Sequence, residues 1–305
     1  MAVLAVMLVV SVGMMTHTYA QSQRQTAATD EAVRLAGLPD FRSLDALFGG
    51  DGAGDKPSDA VEPSAALGLP TANEPSTANE TFAAPQTSVL PSPVSVPSLT
   101  PEEREKVYTD ALAAIDIDAL RAVNRDVVGW LVIPGTKVSY PMVRGADNDY
   151  YLSRNWKRDR NAAGAVFIDS RITDPLGGFN TIIYGHNMND GQMFAALKNY
   201  KSAEFFAEHP KVYLSTDEGV AVYEIFSARE VTLELYDGSP YTTEFDGGAA
   251  KQALIDDAIK SSVIDCGVTP SVDDRIITLS TCVAEGKGYQ TRWVIMAAEA
   301  DAQPK

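Results

Sequence analysis

Cys282 ends the apolar run IITLSTC, His186 follows the run TIIYG, and Arg292 opens TRWVIM. Each has an ordinary structural explanation when taken alone. A cysteine closing an apolar strand can serve as a small buried hydrophobe, a loop histidine can hold backbone, and an arginine can simply face water. Together the three supply the parts of a covalent acyl-transfer site. The thiolate rather than the thiol is the nucleophile, so a reactive cysteine needs a base or a cation beside it. The tetrahedral intermediate needs a donor for its oxyanion, and a guanidinium donates without titrating. Cys282 and Arg292 end and begin successive expected strands joined by Val283–Thr291. If those strands pair, both residues lie at one rim of a sheet, which His186 can reach from another strand end.

The remaining reactive residues are few. The chain has three histidines and two cysteines, so His17, His209 and Cys266 complete the set. His209 precedes Pro210 in an expected surface loop, where a solvated imidazole is expected. Spacing leaves open whether Cys266 and Cys282 form one disulfide or are a reactive thiol and a bystander. A nucleophilic Cys282 requires that Cys266 be unbridged to it. These scattered residues have no metal-ligand spacing, so neither a metal nor a cofactor is expected. The formal net charge of -16 argues against nucleic acid or an anionic membrane face as the main partner, and simple solubility accounts for it.

The elements that must position these residues can be read from patterning. Residues 1–20 begin with the apolar run MAVLAVMLVVSVGMM, expected to be a membrane anchor or signal segment. Thr18-Tyr19-Ala20 is a weak cleavage site, and the alternative is an uncleaved single-pass anchor in a cell membrane with the rest of the chain outside the cytoplasm. The anchor is the expectation adopted. Residues 21–99 are rich in Ala, Ser, Thr and Pro and form an expected disordered linker, with one amphipathic stretch at 29–48. Order begins at Thr100-Pro101-Glu102-Glu103, a capping box with Pro at the first helical position. A second short helix is expected over Ile117–Asn124. Short strand-like runs separated by turn residues, Pro134-Gly135 among them, follow at Val127–Ile133, Val138–Val143, Gly164–Ile168, Thr181–Tyr184, Lys211–Ser215, Val220–Val231, Asp274–Thr281 and Thr291–Ala297. Helical stretches are expected at Met193–Leu197, Ala203–Ala207 and Ala249–Ser262. About eight strands with few peripheral helices predict a closed or nearly closed β-barrel.

These residues resemble a known family. Thr278-Leu279-Ser280-Thr281-Cys282 followed by Arg292 is similar to the sortase TLxTC…R signature, and Tyr184-Gly185-His186-Asn187-Met188 is similar to the sortase histidine motif. The likeness extends from Leu120 to Ala298 and takes in VVGWLVIPGTKVSYPMVRGADNDYYL and NAAGAVFID. The helix at Ala249–Ser262 and the N-terminal helices resemble those of class B sortases. The resemblance implies a mainly β fold, an eight-stranded barrel with N-terminal helices and an inserted helix before the cysteine strand, in a catalytic domain spanning 100–300. It implies a cysteine transpeptidase that cleaves an NPxTx-like sorting signal after Thr through a thioester on Cys282. His186 would shuttle the proton and Arg292 would hold carbonyls and the oxyanion. The implied partners are surface proteins bearing a C-terminal sorting signal, a peptidoglycan precursor or cross-bridge amine (or a pilin lysine), and the membrane through the N-terminal segment. By motif position Asn148, Leu152, Tyr184 and Ser280 would line the substrate groove, with Tyr241 and Thr243 from SPYTTEF. A cysteine peptidase that only hydrolyses and a non-catalytic surface binding barrel are the competing readings.

Overall fold

A computed structural model of the chain describes residues 2–38, 100–232, 240–282 and 291–304. Eight strands close into a barrel: β1 Val127–Val132, β2 Ser139–Val143, β3 Val166–Ile168, β4 Asn180–Tyr184, β5 Lys211–Thr216, β6 Gly219–Thr232, β7 Ile276–Cys282 and β8 Thr291–Pro304. Around the barrel their order is β1-β2-β3-β4-β7-β8-β6-β5, with β5 returning to β1. Two joints, β2·β3 and β4·β7, are parallel and the rest antiparallel. The strands expected from sequence are all present, and the closed barrel with its peripheral helices is the architecture the resemblance implies.

Both faces of most strands are covered, which is why their sequences read as nearly continuous apolar runs. Leu131, Met142, Ile183, Leu279 and Ile295 pack in the barrel interior. The neighbouring positions Trp130, Val132, Val143 and Tyr213 face outward into a second cluster formed with the N-terminal helices. These helices are α1 Ala2–Leu35, α2 Pro101–Ala113 and α3 Ile117–Val123. The start of α2 carries the expected capping box: Glu103 N donates to Thr100 Oγ1 at 3.2 Å and Thr100 N to Glu103 Oε2 at 2.8 Å. After the short α4 (Ala203–Glu208), α5 (Gly247–Lys260) lays Leu254, Ile255 and Ala258 over Phe226, Ile276, Val294 and Met296 on the outer wall.

Helix α1 departs from the compositional expectation in two ways. It runs on through residues assigned to the linker, and its second half docks on the barrel. Ala28, Ala32 and Ala36, spaced four apart, are buried there. Trp156 Nε1 donates to the Ala28 carbonyl at 2.8 Å, and Lys157 Nζ pairs with Glu31 at 2.6 Å. The Gln25 side chain is 3% exposed; its Oε1 accepts from Asn161 Nδ2 at 3.0 Å and its Nε2 lies 3.2 Å from Met193 Sδ. The remainder of the expected linker, residues 39–99, lies outside the described residues.

The expectation of a single-pass membrane anchor is overturned. Among the described residues no helix is long and apolar enough to cross a membrane. From Thr16 onward the helix is largely polar. The polar half of the same helix is engaged by the barrel. The expected cell-membrane location falls with it.

His209 also differs from expectation. Its side chain is 13% exposed rather than solvated. Nδ1 donates to the Pro134 carbonyl at 2.8 Å, the ring packs on Phe205, and burial lowers its pKa. The Pro134-Gly135 turn makes room for it: Gly135 has φ +74°, and a Cβ there would stand 2.5 Å from the imidazole.

Candidate active site

The register of three adjacent strands brings the sequence-singled residues together. β4 pairs in parallel with β7 from Asn180↔Ile276 to Tyr184↔Ser280. Gly185 N continues the ladder to the Ser280 carbonyl at 3.2 Å. Two residues beyond that last pair, the chains reach His186 and Cys282. On the other side of β7, Cys282 is the register partner of Arg292 on antiparallel β8. Paired Cα atoms in such a ladder are about 4.5–5.5 Å apart. All three residues therefore stand at one end of the β4-β7-β8 wall.

His186 is fixed by its surroundings. Its Nε2 lies 2.8 Å from the Leu152 carbonyl. A carbonyl only accepts, so Nε2 carries the proton, and in the neutral ring Nδ1 is bare. The 151–165 segment approaches this closely because residue 164 is glycine. Gly164 has φ +62°, and a Cβ would sit 2.6 Å from the Tyr151 carbonyl and 2.9 Å from His186 Cδ2. Behind the ring, Phe194 N donates to the His186 carbonyl at 2.8 Å, and Gly185 leaves space for the Phe194 ring. Arg292 is partly buried, with Nη1 donating to the Thr291 carbonyl at 3.1 Å.

The expected groove residues gather along the same wall. Tyr184 and Tyr241 stack with ring centroids 6.2 Å apart and planes 14° apart. The Tyr241 hydroxyl and Ser280 Oγ share a hydrogen bond of 2.8 Å. Tyr184 donates to Asp169 Oδ2 at 2.9 Å, and burial together with that carboxylate raises its pKa. Asn148 Oδ1 accepts from Ser170 N at 2.8 Å, next to Asp169. Leu152 is 42% exposed beside the histidine its carbonyl engages. Thr243 is half-buried two residues beyond Tyr241, and no hydrogen bond among the described residues joins it to this network.

Asp169 was not among the residues singled out from sequence, although it ends the quoted segment NAAGAVFID. Its side chain is fully buried. Burial opposes its charge, yet hydrogen bonds from Arg171, Asn148 and Tyr184 outweigh that and hold the carboxyl down at about 2. Arg171 and Asn180, also unmarked by any motif, bond to the backbone of the Tyr241 segment. Cys266 is a free thiol away from these residues, beside Ser262 and a cleft of about 420 Å³ below α5, and burial pushes its pKa up to about 11.

Comparison with known proteins bears on this arrangement. The sortase domain family matches residues 131–300. Over 207 residues the chain is 38% identical to the protein named Sortase B of Listeria monocytogenes, covering 64% of this chain and 81% of that one. It is 33% identical over 180 residues to Sortase B of Staphylococcus aureus, covering 59% of this chain and 72% of that one. The solved Staphylococcus aureus sortase B–substrate complex superposes with a TM-score of 0.57 at 30% identity, over 61% of this chain and 85% of that chain. Sortase B of Bacillus anthracis in complex with AAEK2 gives 0.56 at 34% identity, over 61% of this chain and 83% of that chain.

Proposed function

From this chain's membership of the sortase family of cysteine transpeptidases, with class B relatives, we propose that Cys282 is the nucleophile, His186 the proton carrier and Arg292 the oxyanion donor of a transpeptidation that anchors surface proteins. The observation that carries this reading is the strand register, with Cys282 opposite Arg292 and with Cys282 and His186 each two residues beyond the Tyr184–Ser280 pair. The substrate is a sorting signal of the NPxTx kind. The Cys282 thiolate adds to the threonine carbonyl, and Arg292 donates to the oxygen on which negative charge develops. Collapse of the tetrahedral intermediate breaks the C–N bond and leaves a thioester. Protonated His186 gives the leaving amine its proton from Nδ1, because Nε2 is engaged by the Leu152 carbonyl. The acceptor amine, from a peptidoglycan precursor or cross-bridge or a pilin lysine, then loses a proton to the same nitrogen as it attacks the thioester. The new amide forms and the thiolate is released.

Asn148, Leu152, Tyr184, Ser280, Tyr241 and Thr243 line the groove that holds the signal peptide. The paired tyrosines offer it a flat apolar wall, and Leu152 offers exposed apolar surface. The catalytic unit spans 100–300 together with the docked part of α1.

The test is to incubate the full chain with a panel of sorting peptides, with and without an added amine, and to weigh the protein and the products. An acyl adduct on Cys282 that resolves to an amide with the amine supports the assignment. An adduct that yields only free acid whatever amine is supplied makes the protein a hydrolase. No adduct with any peptide overturns the reading.

A further inference from the structure

The segment that carries Tyr241 is held by its main chain. Asn180 Nδ2 donates to the Pro240 carbonyl at 2.8 Å and to the Thr242 carbonyl at 3.0 Å. Arg171 Nη2 donates to the Tyr241 carbonyl at 3.1 Å. Three consecutive carbonyls are thus each met by a side-chain N–H from the β3–β4 region, independently of the side chains on the segment itself.

Neither donor is loose. Asn180 is 2% exposed, and its Oδ1 accepts from Thr278 Oγ1 at 2.8 Å on the neighbouring strand. Arg171 is gripped by Asp169, with Nε 3.0 Å from Oδ1 and Nη2 2.7 Å from Oδ2, while its backbone N donates to Oδ1 at 3.0 Å. A fork held at two points loses little further freedom when a third N–H is used. Asp169 also receives the Tyr184 hydroxyl. One buried carboxylate therefore anchors both walls of the tyrosine pair, Tyr184 through its hydroxyl and Tyr241 through Arg171. A buried charge is tolerated when it is satisfied in this way, and the network closes where Tyr241 meets Ser280, two residues before Cys282.

We infer that Asn180 and the Asp169–Arg171 pair are positioning residues that clamp the Tyr241 wall of the peptide groove through its backbone. The inference rests on the groove assignment above. Affinity for the sorting peptide depends on these residues, and the chemistry at Cys282 does not, because they bond the groove wall and none is among the three residues at the strand ends.

The experiment compares Arg171→Ala, Arg171→Lys and Asn180→Ala with the wild-type full chain. Arg171→Ala takes the guanidinium from buried Asp169 and Asn180→Ala strips a partner from buried Thr278, so thermal unfolding first verifies that each variant is folded, and Arg171→Lys keeps a cation beside the carboxylate. Three readouts are taken: kcat and KM on a sorting peptide, the rate at which a small alkylating agent modifies Cys282, and amide hydrogen exchange of residues 241–243. Loss of one or two such hydrogen bonds predicts a KM raised about five- to tenfold in Arg171→Ala and Asn180→Ala. Faster exchange confined to 241–243, and kcat and alkylation near wild type, should accompany it. Arg171→Lys should recover part of the affinity, since an ammonium lacks the planar fork. A fall in kcat and alkylation with KM unchanged would overturn the proposal, as would unchanged KM and exchange in an active enzyme. A wild-type protein inert toward every sorting peptide would sink both the groove assignment and the clamp.

Discussion

Cys282 and Arg292 are register partners on adjacent strands, and their proposed roles separate under substitution. Cys282→Ala removes one sulfur atom, so turnover should vanish while thermal unfolding stays near wild type; measurable peptide cleavage by this variant would refute the nucleophile. Arg292→Ala should lower turnover about 100- to 1000-fold, the usual cost of one oxyanion donor, and Arg292→Lys should restore only part. Alkylation of Cys282 forms no oxyanion and should change far less. If it falls in parallel with turnover, Arg292 instead sets the ionisation of the thiol. Asp169 supports a pH prediction. Its folded carboxyl titrates at about 2 against an ordinary 3.8. A depressed pKa contributes stability above the unfolded value that is lost as pH falls through the folded one, here about 2 kcal/mol between roughly pH 5 and pH 1. Asp169→Asn should therefore be less stable than wild type at pH 7, and chemical denaturation should find the gap narrowing steadily below pH 4. A gap independent of pH would assign the loss to packing instead.

Among the elements, α1 is where composition and structure part most sharply. Its second half contributes buried Ala28, Ala32 and Ala36, and its Gln25 amide bridges Asn161 and Met193. Asn161 opens the turn containing Gly164, and Met193 pairs with Asn187 just after His186. This stretch of helix therefore braces both loops that flank the histidine. Deleting residues 1–38 removes that apolar contact and at least two buried hydrogen bonds, a loss of several kcal/mol. Deleting only residues 1–20 leaves all of these contacts in place. Thermal unfolding of the two truncations should show a large drop for the longer deletion and little for the shorter; equal midpoints would mean that docking adds nothing to stability. On the opposite wall, α5 covers the outer face of β6, β7 and β8 with Leu254, Ile255 and Ala258, and its 3.6-residue periodicity was plain in AAKQALIDDAIKSS.

At the scale of the whole molecule, the barrel closes in the order that makes the ends of β4, β7 and β8 neighbours. The sequence by itself determined the strands, most helices, the capping box at Thr100, the tight Pro134-Gly135 turn and the identities of the reactive residues. Each of these rests on apolar runs, capping or turn chemistry among residues a few positions apart. The adjacency of Cys282 and Arg292 was nearly legible too, since a short connection favours antiparallel neighbours. Only tertiary structure decided that β4, far earlier in the chain, lies parallel to β7 and so carries His186 to Cys282. Parallel pairing comes through long crossovers, and no local pattern names the partner strand. The same holds for the polar half of α1, whose small and polar residues look like linker until Asn161, Trp156 and Met193 satisfy them. The clamp on Pro240, Tyr241 and Thr242 was invisible for a further reason: it is made to backbone carbonyls, which every residue carries alike, so only the folded chain shows which of them Asn180 and Arg171 meet.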